Sequence, residues 1–341
     1  MIRVGIMGLG QIAHRVAKGI CYAENAELYA VGSRSLEKAR EFQRLYGAQK
    51  IYDSYERLLQ DPQVEMLYIC TPNHLHFEHI QNALRHGKHV LCEKPLVANA
   101  EQLKECFQLA RSSNLFLMEA EKTLFTPLNR KLKQLVKEGV IGQLRYVEGS
   151  YSYPIDLSEM KEDHWCFSKE AGGSVYDVGV YPICYANWFS DGCISDIQAV
   201  KIVAAGGYDM FTQALLTYDN GVIASVRSGW KQWMDNRGVL YGSEGSIETE
   251  NFWKNTRAIL KRDGICTPIE VDMKSDFTGR GGACGGMHTA GAAGEPDSGR
   301  AAEHGNYESS GICEISLKFL KVFHYGLNNF HKNSKIIRSE R

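Results

Sequence analysis

The sequence predicts an α/β chain: a doubly wound parallel-sheet domain followed by an α+β domain with an open, mainly antiparallel sheet. Three observations predict it. Short apolar strands alternate with amphipathic helices over the first third of the chain. A glycine-rich turn at Gly8 and Gly10 joins the first strand to the first helix. Beyond about residue 140 the strands lengthen, alternate polar with apolar residues, and are parted by turn signals instead of helices.

The elements follow in order. Residues 2–7 are a continuous apolar-rich strand and 11–22 a helix. Residues 28–33 are a strand and 36–46 a helix. Short strand and helix signals lie at 50–51 and 55–60. Residues 66–70 are a strand, and 76–86 a helix closed by Gly87. Residues 90–92 are a strand, 100–112 a helix and 115–118 a last short strand. Runs this apolar suit strands covered on both faces, as in parallel sheets. The pattern changes near 119–127. A helix at about 128–138 precedes candidate strands at 144–153, 195–205, 211–218, 222–229, 238–241 and 246–249, with a helix near 174–189. Asp219-Asn220-Gly221 and Gly242-Ser243-Glu244-Gly245 read as turns between strands. The domains expected are 1–120, 121–278 and an atypical tail, 279–341.

Composition bounds the function. The chain has 341 residues, 44% hydrophobic and 23% charged, ordinary for a globular protein. Its 39 basic and 40 acidic side chains leave a net charge of −1, which points to neither nucleic acid nor an anionic membrane as a partner. The strand starting at Ile2 leaves no room for a signal peptide. Ten cysteines without a C-x-x-C pair read as reduced, mostly buried thiols of a cytoplasmic protein.

Gly8, Leu9, Gly10, Gln11, Ile12 and Ala13 form G-x-G-x-x-A between a strand and a helix. Gly8 permits the tight turn, Gly10 lets backbone approach a pyrophosphate, and Ala13 lets helix pack on strand. The helix amino terminus then favours phosphate. An acidic residue at the end of the second strand would bind the ribose hydroxyls. Here Ser33 and Arg34 stand there, with Lys38 a turn later. Arg34 stacks on adenine or meets a 2′-phosphate, which favours NADP while leaving NAD possible. Thr71, Pro72 and Asn73 follow the strand at 66–70 and lie where the nicotinamide half would run, with His76 close behind. Glu93, Lys94 and Pro95 follow the strand at 90–92, so Lys94 sits at the carboxyl edge where open α/β sheets bind ligands. Glu93 binds near the ribose or braces Lys94. His74, His76 and His79 form no convincing metal shell, and no metal is expected.

These motifs resemble the glucose–fructose oxidoreductase / inositol dehydrogenase family of NAD(P)-dependent enzymes. The resemblance rests on Gly8 to Ala13, Thr71 to His74, Cys92 to Pro95, Asn114 to Ala120 and Ala171 to Pro182, and covers about residues 1–275. Asp177-Val178-Gly179-Val180-Tyr181 is similar to its dihydrodiol dehydrogenase / xylose dehydrogenase branch, where the frequent D-x-G-x-H reads D-x-G-x-Y. The resemblance implies a Rossmann domain, an open-faced sheet that often mediates dimerisation, and Lys94 and Tyr181 flanking the substrate carbon beside the nicotinamide. Lys122 and Leu124 stand where related enzymes often carry Trp and Arg. Substrate choice therefore does not carry over.

The implied chemistry is hydride transfer at a secondary alcohol or hemiacetal carbon of a sugar, polyol or dihydrodiol, which leaves a hydroxyl proton to remove. Tyr181, with an ordinary pKa of about 10, needs a nearby cation to serve, and Lys94 is that cation. Asp177, one turn earlier, binds substrate or tunes Tyr181. Tyr181, Tyr185 and Trp188 also fit a core stripe. Tyr151, His164 and Trp165 are candidate pocket residues, and packing or loop surface is the other reading. A cofactor-binding regulator without catalysis is a competing class, and retention of Lys94, Asp177 and Tyr181 argues for the enzyme.

Residues 280–311 are rich in Gly and Ala and lack aliphatic periodicity. Codons exist for them that, read one nucleotide later, spell a helix–loop–helix ending like the family's. A frameshift close to residues 277–280 is therefore expected, and an inactive product is its extreme consequence. A homodimer is expected where the second domain is intact.

Overall fold

The computed structural model describes residues 1–157, 160, 164–169 and 171–273, and the backbone of 336–338. The expected frameshift and tail lie outside the described residues, apart from that last strand. Two compact units emerge, Met1–Ala120 and Glu121–Met273.

The first unit alternates strand and helix: β1 (Ile2–Met7), α1 (Gln11–Cys21), β2 (Ala26–Gly32), α2 (Leu36–Tyr46), β3 (Lys50–Tyr52), α3 (Tyr55–Gln60), β4 (Met66–Ile69), α4 (His76–Arg85), β5 (His89–Cys92), α5 (Ala100–Ser112) and β6 (Leu117–Glu119). All pairings are parallel, in the order β3-β2-β1-β4-β5-β6. This is the doubly wound order, with the chain reversing direction across the sheet beside β1. β4 is buried along its whole length, and Val4, Ile6 and Met7 of β1 are buried too. Helix α1 buries Ala13, Val16, Ala17 and Ile20, the i, i+3, i+4, i+7 stripe of an amphipathic helix. Ser35 caps α2 at its start. Gly47 closes it in the left-handed region, φ 74°, its N–H donating to Gln43 O.

The second unit opens with a 3-10 turn at Lys122–Phe125, then α6 (Pro127–Lys137) and β7 (Leu144–Ser152). A π-helical turn, Val175–Gly179, runs into α7 (Val180–Ser190). The strands β8 (Ile194–Val203), β9 (Asp209–Tyr218), β10 (Ile223–Gly229), β11 (Arg237–Gly242), β12 (Gly245–Glu250), β13 (Arg257–Arg262) and β14 (Ile265–Glu270) follow, with β15 (Ile336–Arg338) on the outer side of β8. The sheet order is β14-β13-β12-β11-β7-β10-β9-β8-β15, antiparallel except for β7 with β10 and β8 with β15.

Two expectations need correction. The single helix expected over 174–189 is a π turn followed by an α-helix, so Asp177 and Tyr181 lie in different helical geometries. The hairpin β13–β14 is absent from the expected strands. β14 is the edge strand, exposed at all but one position and carrying Pro268, and β13 beside it buries only Ala258, so no apolar alternation marks either. The one signal was Asp263-Gly264, both at positive φ, the turn that such hairpins favour.

Candidate active site

In the first unit, three loops leave the carboxyl ends of the adjacent strands β1, β4 and β5. The main chain ties them side by side: Cys70 N donates to Met7 O at 2.8 Å, and Glu93 N to Ile69 O at 3.0 Å. Gly8 has φ 91°, and a Cβ there would lie 3.0 Å from Thr71 and 3.1 Å from the Cys70 backbone. Any side chain at that position would be strained. Gly10 differs: a Cβ added to it would meet nothing within 4 Å. Its surroundings are open, at the amino end of α1, where unpaired N–H groups attract phosphate. Leu9 is half-buried, Gln11 and Ile12 are exposed, and Ala13 is fully buried against the sheet. These residues fit a dinucleotide.

At the end of β2, Ser33 is buried and its hydroxyl accepts the Ser35 N–H at 3.1 Å. Arg34 and Lys38 are exposed, and the Arg34 charge reaches Tyr55 and His79. No acidic residue stands at this strand end.

Thr71 is buried, Pro72 exposed and Asn73 half-buried, the last opening a 3-10 turn before α4. His76 sits beneath this loop, 1% exposed. Its Nδ1 lies 2.8 Å from Pro95 O and its Nε2 2.8 Å from Thr71 O. The ring thus lies between the β4 loop and the β5 loop, and as a neutral imidazole it donates to one of the two carbonyls at a time. Burial pushes the imidazole below its ordinary pKa, against the pull of those carbonyls. Among the described residues no group of three His, Cys, Asp or Glu side chains could hold a metal.

Lys94 is half-buried and follows buried Glu93. Glu93 Oε1 accepts the Tyr68 hydroxyl at 2.8 Å, and Oε2 accepts the Lys94 N–H at 3.3 Å. Lys94-Pro95 is a cis peptide. Next along the loop, Leu96 N donates to Glu119 Oε1 at 2.7 Å. Glu93 therefore braces the Lys94 backbone. Tyr68, which supports this loop, was hidden in the sequence among apolar strand residues, and Glu119 stood in the Asn114–Ala120 motif with no role assigned.

The second unit carries Tyr181 in the first turn of α7. Its ring lies 5.4 Å from Tyr151 and 6.4 Å from Trp253, and Tyr151 stacks on Trp253 at 3.6 Å and 5°. Lys122 Nζ lies 5.8 Å from the centre of the Tyr181 ring. Tyr151, Trp165 and Tyr181 all pack on one buried cluster of Cys166, Val178, Met210 and Trp230. His164 faces that cluster through Nδ1, 2.9 Å from Cys166 Sγ. Tyr185, one turn past Tyr181, is fully buried against Phe189 and Phe252, whereas Tyr181 and Trp188 are half-buried.

Asp177 Oδ2 accepts the Tyr153 hydroxyl at 2.7 Å and Trp230 Nε1–H at 3.1 Å. Burial and the Asp177 carboxylate together push the Tyr153 phenol well above its usual range. The π turn bearing Asp177 is anchored by Asp209. Its Oδ2 accepts Ser174 Oγ–H at 2.5 Å, Val175 N–H at 3.1 Å and Thr212 Oγ1–H at 3.0 Å. Gly173, φ 88°, leaves room for this carboxylate, which a Cβ would strike. Asp209 heads β9, two residues before the strand expected from sequence, so nothing marked it as an anchor.

Comparison with known proteins places the chain. Residues 2–121 match the Gfo/Idh/MocA oxidoreductase family, NAD-binding Rossmann fold, and residues 129–248 match that family's C-terminal domain. A mouse (Mus musculus) trans-1,2-dihydrobenzene-1,2-diol dehydrogenase is 31% identical over 83% of this chain and 84% of its own. The chain belongs to the Gfo/Idh/MocA family. It is an NAD(P)-dependent oxidoreductase. An Actinomadura kijaniata dTDP-3,4-didehydro-2,6-dideoxy-alpha-D-glucose 3-reductase is 34% identical over 72% of this enzyme and 74% of its own length. The crystal structure of a 3-ketoreductase from the same organism, in complex with NADP, superposes with a TM-score of 0.78. Identity is 25% over 99% of each chain.

Proposed function

We propose that the enzyme transfers a hydride between NADP and a secondary alcohol or hemiacetal carbon of a sugar, polyol or dihydrodiol. The observation that carries this reading is the shared sheet edge, where Gly8–Gly10, Thr71–Asn73 and Glu93–Lys94 stand on adjacent strand ends. Arg34 in place of an acidic residue supports NADP, as do related structures solved with NADP.

Gly10 and the α1 amino terminus would hold the pyrophosphate, Arg34, Ser33 and Lys38 the adenosine end, and Thr71, Asn73 and Glu93 the nicotinamide end. The bound nicotinamide supplies or accepts the hydride. Tyr181 exchanges the substrate hydroxyl proton at its phenol oxygen. Lys94 orients that hydroxyl and favours the charged phenolate. Asp177, held by Tyr153 and Trp230, offers its carboxylate to a second hydroxyl. The apolar rings of Tyr151 and Trp253 match the apolar face of a sugar or diol ring. Val200, Leu215, Ile223 and Tyr241 are exposed on one face of the second sheet by its register, which supports a homodimer formed through that face.

An activity screen tests the reading: NADPH formation or loss with aldoses, polyols and trans-dihydrodiols, beside NAD. Turnover with NADP on at least one class is expected. Cofactor binding without turnover on any of them would favour a regulator.

A further inference from the structure

Lys122 opens the 3-10 turn at the start of the second unit and is only 4% exposed. A buried ammonium is costly unless anions, dipoles or a π face replace its water. Its Nζ stands 5.8 Å from the centre of the Tyr181 ring, within the range of a cation–π contact. The proposed site thus has a cation over its phenol ring from within the same unit.

Among the described residues, ionisable groups from other elements also stand about Tyr181, Tyr153 and Tyr208 of the same cluster among them. Tyr151 approaches from β7 at 5.4 Å. Cys166 lies in the cluster on which Tyr181 packs. Asp177 precedes Tyr181 on the π turn, its Oδ2 bonded to Tyr153 and Trp230. Glu121 adjoins Lys122, and its Oε1 accepts the Thr123 N–H at 2.9 Å. Like charge on Asp177 or Glu121 would oppose a phenolate on Tyr181, whereas the Lys122 cation would favour one.

We propose that Lys122 is a positioning residue for Tyr181, holding the phenol oriented and electrostatically ready to give up its proton. The proposal rests on the proposed role of Tyr181. Lys122 and Tyr181 belong to the same unit, so this cation acts on the phenol from within that unit.

The test is the pH profile of NADP-linked turnover in wild type, Lys122→Met and Lys122→Arg. Loss of the cation should move the limb set by Tyr181 to higher pH by about one unit, a ~10-fold loss of base at lower pH. Arg should keep the limb in place. The limb moves upward in both reaction directions, because oxidation uses the phenolate and reduction the phenol. Structural damage alone would lower the plateau and leave the limb where it was, and that result overturns the proposal. A second readout needs no activity: the ultraviolet phenolate titration of wild type minus Tyr181→Phe, repeated in the Lys122→Met background. An upward shift there without turnover in any protein would sink the proposed reaction and keep the Lys122 coupling. Turnover with identical titrations would do the reverse. Lys122→Gln replaces Lys122→Met should the latter not fold, with the same shift expected.

Discussion

Tyr153 donates its hydroxyl hydrogen to Asp177, Oη lying 2.7 Å from Oδ2. Trp230 shares that oxygen, so the carboxylate is held from beneath by two residues far away in sequence. Asp177 is thereby fixed by the residues that follow β7 and β10, as well as by the π turn that runs into the helix bearing Tyr181. Removing the bond in Tyr153→Phe should cost about 1–3 kcal/mol of stability, since the acceptor is charged. Turnover should fall by roughly tenfold, as a positioned group loses one of the donors that hold it. Urea denaturation and steady-state kinetics measure the two effects. Unchanged values of both would mean that Asp177 needs no such support.

Gly8 and Gly10 should separate fold from binding. Gly8→Ala forces a side chain into the left-handed region against Thr71 and Cys70, and should destabilise the unit by about 1–3 kcal/mol. Gly10→Ala meets open space, so its melting temperature should match wild type. Its NADP affinity should drop by at least ~10-fold if pyrophosphate approaches that backbone. Thermal melts with cofactor fluorescence titration check both.

Arg34 is exposed and can be exchanged without disturbing the core. Arg34→Ala should raise the KM for NADP by roughly 10-fold or more and leave that for NAD nearly unchanged, because only the 2′-phosphate needs the guanidinium. Equal effects on both cofactors would assign Arg34 to adenine stacking.

His76 gives stability a pH dependence. Burial holds its folded pKa below the ordinary 6.5. On acidification the unfolded chain binds a proton near that value while the folded chain does not. Its contribution is therefore complete above 6.5 and is lost as pH falls below it, by up to ~1.4 kcal/mol per pH unit. His79 and His89 are lowered by burial too and act in the same direction. Urea midpoints measured between about pH 7.5 and pH 5.5 should fall in wild type and fall less steeply in His76→Gln. Parallel slopes would contradict the assignment.

The first unit was largely legible in the sequence because its signals are local. A buried parallel strand is an apolar run, and Gly8, Gly10 and Ala13 declare their turn within six residues. Lys94 stood out because a proline follows it at a strand end. What stayed hidden depends on distant contacts. Tyr68 looks like one more apolar strand residue until Glu93 is found against it. Asp209 looks like a loop residue until Ser174 and Val175 are seen on its carboxylate. Trp253 follows β12 with no motif around it, yet stacks on Tyr151. The π geometry of Val175–Gly179 has no periodic signature in five residues.

The proposal at the centre is that Lys94 and Tyr181 handle the hydroxyl proton that accompanies hydride transfer between NADP and the substrate. It is tested most directly by turnover and NADP binding measured together in wild type, Lys94→Met and Tyr181→Phe. Both variants should bind NADP within a few-fold of wild type and lose turnover by about 100-fold or more. Wild-type turnover in Lys94→Met would contradict the account.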